Sequence, residues 1–184
     1  MNTARTPATI ICAVISAGAA LATVLLTACG AAGMAGSGTA AAQPRHLTAF
    51  TSVELGDSSN ATVHVGGQQS VVVHADDNLL SRVTTQVRAG TLRIETTGSF
   101  TTDSPMYVQI SLPSLHALTL SGSGVLTASN IHAPRLSIRL PGSGAMRASG
   151  TVTGLDVSLG GSGDAQLGQL AFDQVVVALI TEIT

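Results

Sequence analysis

Three regularly spaced Gly-Ser-Gly triplets constrain this chain more than any other feature. They are Gly122-Ser123-Gly124, Gly142-Ser143-Gly144 and Gly161-Ser162-Gly163, spaced by 20 and 19 residues. Each follows an alternating segment: Leu118-Thr119-Leu120, Leu136-Ser137-Ile138-Arg139-Leu140, and Leu155-Asp156-Val157-Ser158-Leu159. A fourth, Val175-Val176-Val177-Ala178-Leu179, keeps the register. The column Leu120, Leu140, Leu159, Leu179 steps by 20, 19 and 20, and the column Leu118, Ile138, Val157, Val177 steps identically. Period-two alternation predicts half-buried strands, with the aliphatic set inward and Thr119, Ser137, Arg139, Asp156 and Ser158 outward. The triplets are expected to supply the positive-φ positions of sharp corners.

Shorter segments follow the corners at 125–128, 145–148 and 165–167, with Leu126, Met146 and Ala165 as their inward residues. A further turn is expected near Asn130, Gly150 and Gly168, then a third apolar column at Ile131, Val152 and Leu170. One such unit of about 20 residues cannot bury its own apolar face, whereas stacked units can, which describes a parallel β-solenoid. A sandwich or an up-and-down barrel also gives regular strands. Neither requires the same corner chemistry in register three times.

The N-terminal half is less regular but still all-β. Strand candidates lie at 53–55, 61–65, 71–74, 83–88, 91–95 and 106–112. Turns are expected at Gly66-Gly67, Asp76-Asp77-Asn78 and Ala89-Gly90, with one helical turn near 78–82. These strands either begin the solenoid or form a capping layer.

Four features together resemble the GIN-domain family, described as auto-transporter adhesin heads. They are the Asp76-Asp77-Asn78-Leu79 turn, Gly90-x-Leu92-x-Ile94, Leu112-Pro113-x-Leu115 and the repeated Leu-x-Gly-Ser-Gly. The resemblance covers 45–179. It implies a right-handed parallel β-helix on an exported bacterial protein, often a lipoprotein, with no catalytic residues to carry over. One departure stands out. The register places another Gly-Ser-Gly at 181–183, where the sequence has Thr181-Glu182-Ile183, so the last rung is expected to be incomplete.

The first 28 residues read as an address. A mildly basic start with Arg5 precedes an apolar run from 10 to 26, as in a secretory signal peptide. The run is at the short limit for a retained transmembrane anchor. Leu26-Thr27-Ala28-Cys29 resembles the lipobox of bacterial lipoproteins, which implies cleavage before Cys29 and acylation of its sulfur. Cys12 lies in the removed segment, so Cys29 is the one cysteine of the mature chain and no intramolecular disulfide can form. The chain is thus expected to be a palmitate-type, membrane-anchored lipoprotein of the cell envelope. Residues 29–44 are Gly- and Ala-rich and read as a flexible tether, leaving 45–184 as the GIN-like domain.

Composition removes several functions. Aromatics are 2 %, charged residues are 10 %, and all eight basic residues are Arg, so a basic patch with stacking aromatics for nucleic acid is absent. His46, His64, His74, His116 and His132 share no ligand spacing and read as surface or edge residues. Asp76-Asp77-Asn78 reads as a turn closed by its own side chains rather than as a cation site. Gly160-Gly161-Ser162-Gly163-Asp164 departs from the calcium-binding nonapeptide, since its Asp falls one position early. Ser123, Ser143 and Ser162 lack a nucleophile elbow and read as a stacked serine ladder. The expected function is a non-enzymatic binding or adhesion-type domain without cofactor or metal. It would act through Ser/Thr-rich faces on a glycan or an envelope protein, and self-associate through its apolar C-terminal edge. A polysaccharide hydrolase or lyase would want clustered acids on adjacent rungs, and the matched outward column Thr119, Arg139, Ser158, Ala178 offers none. An envelope-stress sensor module is the third alternative.

Overall fold

The computed structural model describes residues 33–179, so the expected signal peptide, Cys29 and the anomalous 181–183 lie outside the described residues. The described chain is all-β, with one short 3-10 turn at Leu80–Arg82. Thirteen strands follow in order: β1 (Met34–Ala35), β2 (Ala40–Pro44), β3 (Ser52–Leu55), β4 (Asn60–Val65), β5 (Ser70–Asp76), β6 (Val83–Arg88), β7 (Thr91–Thr96), β8 (Phe100–Thr101), β9 (Tyr107–Leu112), β10 (Ala117–Leu120), β11 (Val125–Leu140), β12 (Ala145–Leu159) and β13 (Asp164–Leu179). All but β1 and β8, which pair with each other, belong to one curled, open, mixed sheet.

Alternation in the sequence becomes alternation in burial. In β4, Ala61, Val63 and Val65 are buried while Asn60, Thr62 and His64 are exposed. The two aliphatic columns hold in register: Leu118 pairs with Ile138, Ile138 with Val157, Val157 with Val177, and Leu140 with Leu159. Leu126, Met146 and Ala165 align likewise. These ladders are parallel, so each strand lays its apolar side chains directly over those of its neighbour.

The ladders are not stacked in chain order. On one side the sequence of partners is β7, β3, β10, then the ends of β11, β12 and β13; on the other it is β9, β4, then the starts of β11, β12 and β13. The rung of β3 and β4 therefore lies between that of β7 and β9 and that of β10 and β11. Antiparallel strands close the end away from β13: β6 on β7, β5 on β9, and β2 on β5. The irregular N-terminal half thus supplies both parallel strands within the sheet and the antiparallel strands at its end.

Four expectations are corrected. First, the triplet glycines do not have positive φ. They are required by close approach instead. A Cβ on Gly122 would lie 1.9 Å from the Asp57 carbonyl oxygen, on Gly142 2.2 Å from that of Gly122, and on Gly161 2.1 Å from that of Gly142. The corners stack backbone on backbone, leaving no room for a methyl group. Second, the expected turns at Asn130 and Gly150 are bends inside the continuous strands β11 and β12, with φ 58° and 139°, and Gly168 lies within β13. Third, the bends shift the register, so Ile131 pairs with Gly150 and Gly150 with Leu170, while Val152 pairs with Ala133 and Phe172. All three residues of the expected third column are buried, but they do not form one column. Fourth, residues 34–35 and 40–44, within the stretch read as a tether, pair as strands.

Candidate binding surface

The interior of the stack opens at β13. Along the inward column, exposure is 0 % at Leu118, 0 % at Ile138 and 5 % at Val157, then 56 % at Val177. Five large apolar residues stand exposed among the described residues, and four lie on β13: Phe172, Val175, Val176 and Val177. Both faces of the strand contribute, since Val175 and Val177 follow the inward alternation and Val176 the outward one. Beneath them lies an apolar groove of about 430 Å³, lined among others by Leu155, Val157, Leu159, Leu167, Phe172 and Val177. Among the described residues β13 pairs only with β12, and no strand pairs with its other edge. The sequence signal for this surface was the apolar run from Val175.

The lateral faces are engaged across rungs. Arg93 bonds Glu54 at 2.8 Å, joining β7 to β3. Arg135 donates to Asp156 at 2.7 Å, and this hydrogen bond holds the Asp156 carboxyl below its usual range. Arg147 donates to Gln166 at 2.9 Å. The triplets fall in the breaks between β10 and β11, β11 and β12, and β12 and β13. Ser123 Oγ lies 3.0 Å from Ser58 Oγ, which extends the serine corner to Gly56-Asp57-Ser58-Ser59. That fourth corner escaped the repeat because it lacks the triplet. Asp57 fixes it instead, accepting bonds from the Ser59 and Thr96 amides.

The histidines do not converge, and no group of three or more His, Cys, Asp or Glu capable of holding a metal occurs among the described residues. His64 faces Ser129 Oγ at 3.3 Å, and His74 stacks on Tyr107 with ring centroids 4.4 Å apart. The acidic turn has a partner that the sequence did not reveal. The Ser37 hydroxyl donates to Asp77, the Ser37 amide to Asn78 Oδ1 at 3.0 Å, and Asn78 Nδ2 to the Ala35 carbonyl at 2.8 Å. The turn also closes on itself, through the Asn78 amide and the Asp77 carboxylate at 2.7 Å. Asp76 is buried. Hydroxyl bonds from Ser104 and Thr102 hold its carboxyl below the usual range, outweighing desolvation. No helix among the described residues is long and apolar enough to cross a membrane.

The described residues thus form a curled β-sheet stacked at glycine corners, closed by antiparallel strands at one end and apolar at β13. The chain belongs to the family described as "Putative auto-transporter adhesin, head GIN domain", whose model matches residues 49–181. Among solved structures it is similar to a putative adhesin from Bacteroides fragilis, with 19 % identity, 80 % of this chain and 79 % of that chain covered, and a TM-score of 0.70. It is also similar to a putative lipid binding protein from Parabacteroides distasonis, with 20 % identity, 79 % and 65 % covered, and a TM-score of 0.63. A putative adhesin from Parabacteroides merdae matches at 12 % identity over 79 % and 80 %, with a TM-score of 0.56. At these identities the likeness is one of fold. No curated protein matches.

Proposed function

We propose that this chain is an exported, lipid-anchored protein of the cell envelope whose β domain is a non-enzymatic binding module. The observation that carries the binding reading is the open apolar end at β13, where Phe172, Val175, Val176 and Val177 stand exposed over the groove. Buried apolar area drives most protein association, and an exposed contiguous apolar patch marks an interaction site. The adhesin description of the family supports the same reading. We read the parallel ladders as turns of a right-handed β-helix, which the repeat of about 20 residues and the family resemblance support.

Export and anchoring rest on the apolar run and Leu26-Thr27-Ala28-Cys29. Several acyl chains anchor a protein durably, because each buried methylene adds about 0.8 kcal/mol. Metabolic labelling with a tagged fatty acid should mark the wild type and leave Cys29→Ala unlabelled; equal labelling of both overturns the anchor. Binding is tested by screening the purified protein against glycans and matrix proteins, with Val176→Lys as the comparison. A ligand bound equally by both proteins removes β13 from the binding surface.

A further inference from the structure

We infer that the partner of the open end is a second copy of this chain, docked about a two-fold axis by antiparallel pairing of β13 with its counterpart. This rests on the reading of β13 as the binding surface and adds the identity of the occupant.

Three observations converge. The first is the edge of β13, which has no partner strand among the described residues. β13 spans 16 residues, Asp164–Leu179, and every residue from Ala171 to Ala178 is exposed. Such an edge is satisfied by another strand, whose backbone supplies the missing hydrogen bonds. The second is self-complementarity. In an antiparallel pair centred on Val176, Val175 of one copy lies opposite Val177 of the other, so valine meets valine across the axis. Asp173 falls opposite Leu179 in that register and is kept from facing its own copy. The strand carries no Lys or Arg, the usual residues that blunt an edge.

The third is the contrast between the two ends. The far end terminates in short antiparallel edge strands, β2 with Pro44 and β6 with exposed Arg88. Short strands, proline and charge are the devices that prevent edge pairing. Head-to-tail stacking of β13 onto that end would set its valines against the small Ala40-Ala41-Ala42 row of β2, which Pro44 interrupts as a donor. Joining like ends gives an isologous contact that closes after two copies, whereas a head-to-tail contact would propagate into a filament. The inference is therefore a dimer. It also closes the groove, since Val175 and Val177 of each copy cover the interior that β13 leaves open.

The experiment uses the full-length chain expressed with its leader and purified in detergent, examined by sedimentation velocity over a range of concentrations. The parent should run as a dimer. Val176→Lys places two like charges opposite each other at the axis and should weaken self-association by about tenfold or more. Thr62→Lys, on an exposed outward position of β4, should leave the dimer intact. Val176→Cys should give a disulfide-linked dimer under mild oxidation, because antiparallel partners at an axis bring their Cα atoms to about 4.5–5.5 Å. Cys29→Ser carried in parallel shows whether any cross-link comes from Cys29 instead. Thermal melting confirms that each variant folds. A monomeric parent overturns the inference, as does a Val176→Lys protein that stays dimeric, or a series of species that grows beyond two with concentration. A monomeric parent that binds envelope material, with binding lost in Val176→Lys, overturns the second copy as occupant but retains β13 as the binding surface.

Discussion

Gly142→Ala tests the reason the triplets are glycine. An added Cβ would lie 2.2 Å from the Gly122 carbonyl oxygen and 2.6 Å from that of Ser121. Ordinary contact lies near 3.5 Å, so the two rungs would have to separate by roughly 1 Å. Three backbone bonds tie this corner to the rung below: Gly142 to the Leu120 carbonyl at 3.2 Å, Ser143 to that of Gly122 at 3.2 Å, and Gly144 to that of Gly122 at 3.1 Å. Overpacking a close contact costs about 1–3 kcal/mol, and losing one or two of these bonds adds about 1 kcal/mol each. The expected total is about 2–5 kcal/mol, or on the order of 10 °C in melting temperature for a domain of this size.

Two controls separate close approach from backbone conformation. Gly90 has φ 75° and nothing within 4 Å of an added Cβ, so Gly90→Ala carries only the left-handed penalty of about 1–2 kcal/mol. Gly168 has no left-handed φ and open space, so Gly168→Ala should be neutral or stabilise by up to about 1 kcal/mol through the unfolded chain. The assay is thermal unfolding of residues 31–184 followed by circular dichroism. Melting temperatures for Gly142→Ala and Gly168→Ala within 1–2 °C of each other (roughly half a kcal/mol) would refute the stacked corner.

Further outcomes follow from burial and charge. Ile138 is fully buried between Leu118 and Val157, so Ile138→Asp should destabilise by several kcal/mol (roughly 3 or more), while Ser137→Asp on the outward face should change the melting temperature little. The folded-state carboxyl of Asp76 sits below its unfolded value, so as pH falls the unfolded chain takes up the proton first. The stability it contributes is complete above about pH 4 and is lost as pH drops through the folded value, so Asp76→Asn should flatten the acid limb of a stability–pH curve below about pH 4.

The strands of the stack were legible because the information is local. Alternation at 136–140 and 155–159 needs only a run of five residues, and the spacing of Leu120, Leu140 and Leu159 then fixes which residues lie over one another. The role of the triplets was not legible in the same way. Glycine in a corner reads locally as φ freedom, whereas here it answers to a carbonyl one rung away. The rung order was hidden for a related reason. Nothing within 52–65 shows that β3 and β4 will be covered by β7 and β9 on one side and by β10 and β11 on the other. β2 was read as tether because the segment is Gly- and Ala-rich and uncharged, and its pairing comes from the backbone edge of β5. For the binding surface, the apolar run from Val175 was legible, but its exposure depends on which rung it joins.

The distribution of polar side chains explains why the end of the stack, rather than its flanks, is the place to look for a partner. On the flanks, several charged and amide side chains already bond from rung to rung. Arg93 holds Glu54, Arg135 holds Asp156, Arg147 holds Gln166, and Ser123 meets Ser58. These pairs are exposed, so each adds little to stability, but each gives a partner for a polar group that a ligand would otherwise engage. A ligand on the flank would have to replace such bonds one for one, with little net gain. At β13 the opposite holds. The outer edge has no partner strand among the described residues, the valines face water, and association there removes apolar surface without breaking an existing bond.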